Sequence, residues 1–436
     1  MRTFKIAILT LILLIVFFGI VYLMVSRSHV IGREPKIVRI WIGDEIFSPI
    51  TPTDVDHDGS VELIFGTWEG NLYVFDFMHN ETRKIPLGEA IEAAPAVGDL
   101  NRDGFPEIVV GTWDGKLRIV NVCSNSTTEK DFEEAILRGC SLADVNNDEK
   151  LEVLLVLEAN LMLCLNYTGN IIWKIDFSRI YNSSPVYSRI SLPVGDVDND
   201  GFLETAYICF VQAKLSEPIT LINALNGEIS WITWQSKAFA NVIIFCDVNN
   251  DGKLEICVSG LKHIYIFDYK GNKILDKHLP GKFPFVIGLA SSDLNKDNYD
   301  DLIILCQDGS VFALDGRNLD FMWSVDLDAY VAENHPILAD VNGDGILDVI
   351  VASRDGKVYF LDGKNGSIVF HFNVNDVPTT PCACDIDGDG FLEICVGAGH
   401  YLYIVNTNGT FSSWYSYMGD CMNHGNSRML VFPFQV

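Results

Sequence analysis

The chain has 436 residues and 48% hydrophobic content, enough to bury one large core or two modest ones, which excludes a disordered protein. Its 31 Lys and Arg stand against 58 Asp and Glu, a net charge of -27, so densely negative nucleic acid is excluded as a natural partner. With 11% aromatics and 35 glycines, the acidity belongs to a folded chain and points to carboxylates held in place to bind cations.

Arg2, Lys5 and the terminal amine precede the apolar run Ile6 to Val25, IAILTLILLIVFFGIVYLMV. At about 1.5 Å per residue this run is long enough to cross a hydrocarbon core of roughly 30 Å, and it lacks the polar face of a buried core helix. The expected layout is a cytoplasmic tail over residues 1–5, a single-pass transmembrane signal anchor over 6–25, a stalk over 26–36, and an extracytoplasmic domain over 37–436. A cleaved secretory signal is the rival reading, but it wants a shorter run and a small-x-small site, which Leu23 to Ser28 do not supply. Asn-x-Ser/Thr sequons at Asn80, Asn125, Asn166, Asn182, Asn365 and Asn408 are compatible with export and do not establish it.

From Asp54 onward one nine-residue motif recurs eight times, with start-to-start spacings of 45, 45, 52, 51, 46, 47 and 45. Positions 1, 3, 5 and 9 are Asp54, Asp56, Asp58 and Glu62 in the first copy, and Asp99, Asn101, Asp103 and Glu107 in the second. They are Asp144, Asn146, Asp148 and Glu152 in the third, Asp196, Asp198, Asp200 and Glu204 in the fourth, and Asp247, Asn249, Asp251 and Glu255 in the fifth. The sixth has Asp293, Asn295, Asp297 and Asp301, the seventh Asp340, Asn342, Asp344 and Asp348, and the eighth Asp385, Asp387, Asp389 and Glu393. Position 7, expected to add a backbone carbonyl, is Ser60, Phe105, Phe202, Lys253, Tyr299, Ile346 or Phe391 in the seven stronger copies.

Alternate side chains of a tightly curled loop converge on one point. Six to eight hard oxygens at about 2.3 to 2.6 Å suit Ca²⁺, whereas Mg²⁺ wants a smaller octahedron with retained water. Gly at position 6 in six copies fits a turn with positive φ, and Asn298 is a tolerable substitute, but Glu149 makes the third loop the weakest. An EF-hand is excluded because position 12 is apolar or aromatic in every copy and lies in a strand-like run. Up to eight bound Ca²⁺ would bring the net charge from -27 to -11.

Each motif is followed by strand-like runs and turns, as in LIFGTWEGNLYVFD and VIVASRDGKVYFLDG, with a further run that often carries Trp. Four strands per repeat give about 32, too many for a flat sheet, so the fold expected is all-β, a β-propeller of eight four-stranded antiparallel blades, with seven as the alternative count. Either KIVRIWIG before the first motif or TFSSWYSYMG after the last could close the final blade.

Trp68 and Trp113 share position 15 of adjacent repeats, on turns expected to face away from the calcium loops. They read either as packing between blades or as an aromatic platform for sugar or peptide. Cys246/Cys257 and Cys384/Cys395 occupy matching places around two loops, where cross-strand disulfides and small buried hydrophobes are both open readings, and Cys382 could compete with Cys384.

These D-x-[DN]-x-D-G-x-x-[ED] loops followed by strand pairs resemble the FG-GAP repeats of integrin α-subunit propellers and the related VCBS repeats, over about residues 37 to 420. The Trp-bearing runs and DGxxYxxD-like hairpins also resemble quinoprotein-like propeller repeats. The resemblance implies calcium loops between the first and second strands of each blade, on one face, with ligands commonly on the other. Here all eight repeats carry the loop, unlike integrin propellers, so integrin-like partner recognition does not carry over. No P-loop, GxSxG, HExxH or CxxC is present. The expected function is a cell-surface binding or adhesion module for an extracellular protein or glycan; the alternative is a carbohydrate-active, lyase-like enzyme on the same scaffold.

Overall fold

The computed structural model describes residues 35–158, 160–182, 192–236, 242–281, 285–331 and 335–425. The expected tail, anchor and most of the stalk, residues 1–34, lie outside them, and among the described residues no helix is long and apolar enough to cross a membrane. From Ile37 onward the described residues form one compact unit.

Within it, eight antiparallel sheets follow one another along the chain. The first blade is typical: strands Thr51–Thr53, Glu62–Gly66, Asn71–Asp76 and Glu81–Pro86 lie side by side in that order. The inner three strands of a blade are pressed between neighbouring blades and buried along their length, which is why they read as continuous apolar runs. The outermost strand faces solvent, and Glu81–Pro86 is exposed at most positions.

Eight blades, not seven, close the ring, and the two candidate closing strands have separate fates. Ile37–Trp41 pairs with Tyr401–Asn406 and becomes the outer strand of the eighth blade, beside Glu393–Ala398 and Cys382–Cys384. Ile37 is opposite Val405, so the chain enters this blade at the end where the eighth metal loop lies. Ser412–Trp414 instead adds a fifth strand to the inner edge of the seventh blade, beside Ile337–Ala339.

From there the chain fills the hub. The carbonyls of Tyr415, Cys421, Met422, His424 and Gly425 accept hydrogen bonds from the N–H groups of Ala383, Val97, Leu142, Val194 and Phe245, on the innermost strands of five other blades. Those inner edges would otherwise leave backbone groups unpaired. Trp414 and Tyr415 are fully buried, and Asp420 and His424 are buried as a pair with Oδ2 and Nδ1 2.7 Å apart.

Trp residues latch blade to blade. The indole N–H groups of Trp173, Trp231 and Trp323 donate to the carbonyls of Ala224, Tyr269 and Gly363 in the following blade. Each ring lies against the turn glycine there; a Cβ on Gly366, at φ +72°, would sit 2.5 Å from the Trp323 ring.

Candidate metal loops and the opposite face

Every nine-residue motif joins the first strand of a blade to the second, so all eight loops lie on one face. The position 1 carboxylate curls the loop by accepting the N–H of position 6 in all eight copies, at 2.7 to 3.2 Å. The position 5 carboxylate accepts the N–H of position 7 at 2.8 to 3.1 Å; the position 7 donors include Ser60, Phe105, Phe202, Lys253, Tyr299, Ile346 and Phe391. The position 9 carboxylate reaches back to the N–H of position 2 at 2.8 to 3.2 Å. These backbone bonds orient the acids toward a shared centre while leaving lone pairs on each oxygen.

In the three loops with Asp at position 3, one oxygen each from Asp54, Asp56, Asp58 and Glu62, from Asp196, Asp198 and Glu204, and from Asp385, Asp387 and Glu393 lie within 4.8 Å of one another. In the second loop the Asn101 amide donates to Glu107 at 3.0 Å, which turns its carbonyl oxygen the other way. Asn101 Oδ1 and Asp54 Oδ1 are buried and accept no hydrogen bond among the described residues. Buried acceptors left in this condition are costly, and a hard cation would satisfy them. The all-oxygen donor set fits Ca²⁺.

The position 9 acids sit where burial disfavours their negative charge. The position 9 acids are nearly all out of contact with water, at 0 to 6% exposure. Burial, reinforced by the neighbouring Asp residues, pushes the carboxyls of Glu62, Glu204, Glu255 and Glu393 up to about 8. Burial likewise pushes those of Glu152, Asp301 and Asp348 up to about 7.

The positive φ expected at position 6 holds throughout, including Glu149 at 67° and Asn298 at 68°. Glu149 is also ion-paired with Arg102, at position 4 of the preceding loop. Two features escape a reading of position 6 alone. Position 4 has positive φ in all eight copies as well: His57, Arg102, Asn147, Asn199, Asn250, Lys296, Gly343 and Gly388. Its signal was the run of Asn and Gly there, five of eight. Second, position 9 faces an Asp or Asn across the strand pair in four blades: Glu62 faces Asp76, Glu107 faces Asn121, Glu204 faces Asn223 and Glu393 faces Asn406. Asn121 donates to Glu107 at 2.8 Å and accepts the Ser124 N–H at 2.7 Å, so one side chain supports both the acid and the adjoining hairpin. The signal was an Asx closing the third strand-like run, as in LYVFD and LRIVN.

The opposite face carries Trp68 and Trp113, on the turns between second and third strands. Gly66 and Gly111 precede these turns, and a Cβ on either would strike Ile91 or Ile136 at 2.2 Å, so the glycines allow the connecting loop to pack over the strand end. The Trp68 N–H donates to Glu45 O and the Trp113 N–H to Ala90 O, tying each turn to a connection between blades. The two indoles touch edge to face and Phe47 joins them at 4.8 Å from Trp68, yet Trp68 and Trp113 stay 47% and 43% exposed. The pair thus packs across the junction of the first two blades and still leaves much of each ring in water. Phe47 also lines a cavity of about 340 Å³ whose wall includes Glu92, Arg138, Arg354, Asp376 and Tyr417 of the hub segment. Glu92 links the two features: Trp113 Nε1 donates to it at 3.2 Å, and Arg138 lies 3.8 Å from its other oxygen.

A model of the FG-GAP-like repeat matches residues 54–110, 293–351 and 340–396. No curated protein is significantly similar to the chain. Among solved structures, BamB from Moraxella catarrhalis is similar with a TM-score of 0.59 and 12% identity, over 86% of this chain and 98% of that one. Sqt1 from Saccharomyces cerevisiae is similar with a TM-score of 0.64 and 10% identity, over 85% and 97%. The computationally designed Ika8 is similar with a TM-score of 0.58 and 14% identity, over 84% and 100%. Likeness at such identities is likeness of fold alone. With the repeats matched in three places and eight blades among the described residues, the chain is a β-propeller that carries FG-GAP-like repeats.

Proposed function

We propose that the propeller is a Ca²⁺-loaded, membrane-anchored binding module of the cell exterior, and that it takes a protein or glycan ligand on the face opposite the metal loops. The single observation that carries this reading is the half-exposed Trp68 and Trp113 pair beside a cavity with both acidic and basic walls. Aromatic area flanked by a few fixed polar groups is the usual composition of a recognition site. The metal loops do a different job. Positions 1, 3, 5 and 9, with the position 7 carbonyl, would hold the ions, and a bound ion supplies the positive charge that these clustered carboxylates lack.

Chain direction supports the same division of labour. The first strand enters at Ile37 on the metal-loop face, so a tether attached there leaves the Trp68 face free. The test is an array of glycans, cell-wall polymers and exported proteins probed with residues 37–436 in Ca²⁺. Ligands retained by the native propeller and lost on Trp68→Ala with Trp113→Ala support the reading. Retention that ignores both Trp residues overturns it, and release of cleaved product from a bound glycan moves the assignment to the enzyme alternative.

A further inference from the structure

Two of the eight blades carry Cys immediately before the metal loop, and the same two carry Cys two residues after it: Cys246 with Cys257, and Cys384 with Cys395. The other six blades have neither. Small buried hydrophobes chosen independently at two places have no reason to coincide blade by blade, whereas partners in a bond must.

The geometry agrees. Cys246 and Cys257 lie on adjacent antiparallel strands, diagonal to one another across the pairs Cys246 with Glu255 and Ile244 with Cys257. Their sulfurs are 2.7 Å apart. That is well inside van der Waals contact, about 3.5 to 4.0 Å between carbon atoms, and sulfur is the larger atom. In the eighth blade the sulfurs of Cys382, Cys384 and Cys395 lie within 4.8 Å of one another, with Cys382 directly opposite Cys395. All five side chains are fully buried. Their surroundings are apolar, the three of the eighth blade packing among Ile50, Leu63, Phe65 and Ile404.

We propose that Cys246 and Cys257 are joined by a disulfide in the mature protein, that Cys395 is joined to Cys384 at the matching place, and that Cys382 stays beside them as a spare thiol. Each bond forms by exchange with the disulfide of an oxidoreductase or of oxidised glutathione. One Cys thiolate attacks that disulfide and expels a thiol, and the second Cys attacks the mixed disulfide and expels the other, so two protein thiols are oxidised as one external disulfide is reduced. Because the finished blades bury every participant, exchange precedes their packing. The bond ties the strand entering the metal loop to the strand leaving it, so Asp247 and Glu255, or Asp385 and Glu393, are held at a fixed separation before an ion arrives. The fifth and eighth loops thereby become the two preorganised ones.

This inference rests on the extracytoplasmic reading, since disulfides persist in oxidising compartments. The test is peptide mapping of the full chain, isolated from its native host with free thiols alkylated before denaturation, without reductant. A Cys246–Cys257 peptide and a Cys384–Cys395 peptide with alkylated Cys382 are expected. Free thiols at all five positions overturn the proposal. The same protein unfolded and refolded in a glutathione redox buffer then separates the causes: bonds that close there indict the compartment, and bonds that do not indict the pairing. As an independent readout, reductant should lower the Tm of the native chain and leave that of the Cys246→Ala, Cys257→Ala, Cys395→Ala variant unmoved. An equal shift in both would also overturn it, and the mapping stands if the variant does not fold.

Discussion

The indole of Trp68 meets the indole of Trp113 edge to face across the junction of the first two blades, with ring centroids 5.1 Å apart and planes at 78°. Nearly half of each residue remains in water, so their removal should affect recognition more than folding. Replacing both with Ala is expected to weaken ligand binding by about 2 kcal/mol or more, the range of aromatic hot spots. The loss of stability should stay near 1 kcal/mol, as for partly exposed aromatic pairs. Binding titration and thermal melting read the two effects. A variant that unfolds outright would assign these residues to inter-blade packing alone.

Chelation should lower the melting temperature substantially, and added Ca²⁺ should restore it better than Mg²⁺, because the loops crowd carboxylates on one face. Calorimetry with EDTA followed by each ion checks this. Unchanged melting would mean that the loops are plain turns.

Acid should favour the metal-free propeller. The raised carboxyls, Glu62, Glu204, Glu255 and Glu393 at about 8 and Glu152, Asp301 and Asp348 at about 7, are protonated more readily when folded than when unfolded. Their stabilising share is therefore full below the ordinary carboxylate range and is lost as pH rises through about 7 to 8. In EDTA the Tm should fall from about pH 4.5 to about 8 and level off above that, while the increment supplied by Ca²⁺ should grow over the same range as the ion displaces those protons. A Ca²⁺ increment independent of pH would count against ligation by these acids.

The loop of Asp54, Asp56, Asp58 and Glu62 should bind metal more fully than that of Asp144, Asn146, Asp148 and Glu152, which has one carboxylate fewer at these positions and Glu149 in place of the turn glycine. Anomalous scattering from Ca²⁺-grown crystals measures the two occupancies. Equal or reversed occupancy refutes the ranking.

Trp323→Ala should cost about 3 to 5 kcal/mol, the range for deleting a buried aromatic, because it removes both the ring against Gly366 and the bond to Gly363 O. Denaturant melts decide it. A loss under about 1 kcal/mol would show that blades six and seven do not depend on this latch.

Much of the candidate metal site was legible because it is local. Asp99, Asn101, Asp103 and Glu107 lie within nine residues, and their period repeats along the chain. The placement of Trp68 opposite the loops followed from counting strands. What stayed hidden was contact between distant segments. Asn121 acts on Glu107 through strand register, and the position 4 turn depends on backbone angles that His57, Arg102 and Lys296 adopt against their preference. The segment after Thr410 belongs to no repeat, and its place is set by strand edges contributed by other blades. For that reason TFSSWYSYMG looked as suitable an outer closing strand as KIVRIWIG.

The hub segment also gives the molecule a direction in time. Ile37–Trp41 is made before any blade, yet its partner Tyr401–Asn406 belongs to the last one, and the carbonyls of residues 421–425 that bond Val97, Leu142, Val194 and Phe245 come later still. A growing chain can build single blades as they emerge but cannot close the circle or plug its axle until residues 401–425 have been made. A premature stop ahead of Phe411 would therefore yield a string of blades with a bare inner rim and no axle, a species whose open strand edges invite pairing with its own kind.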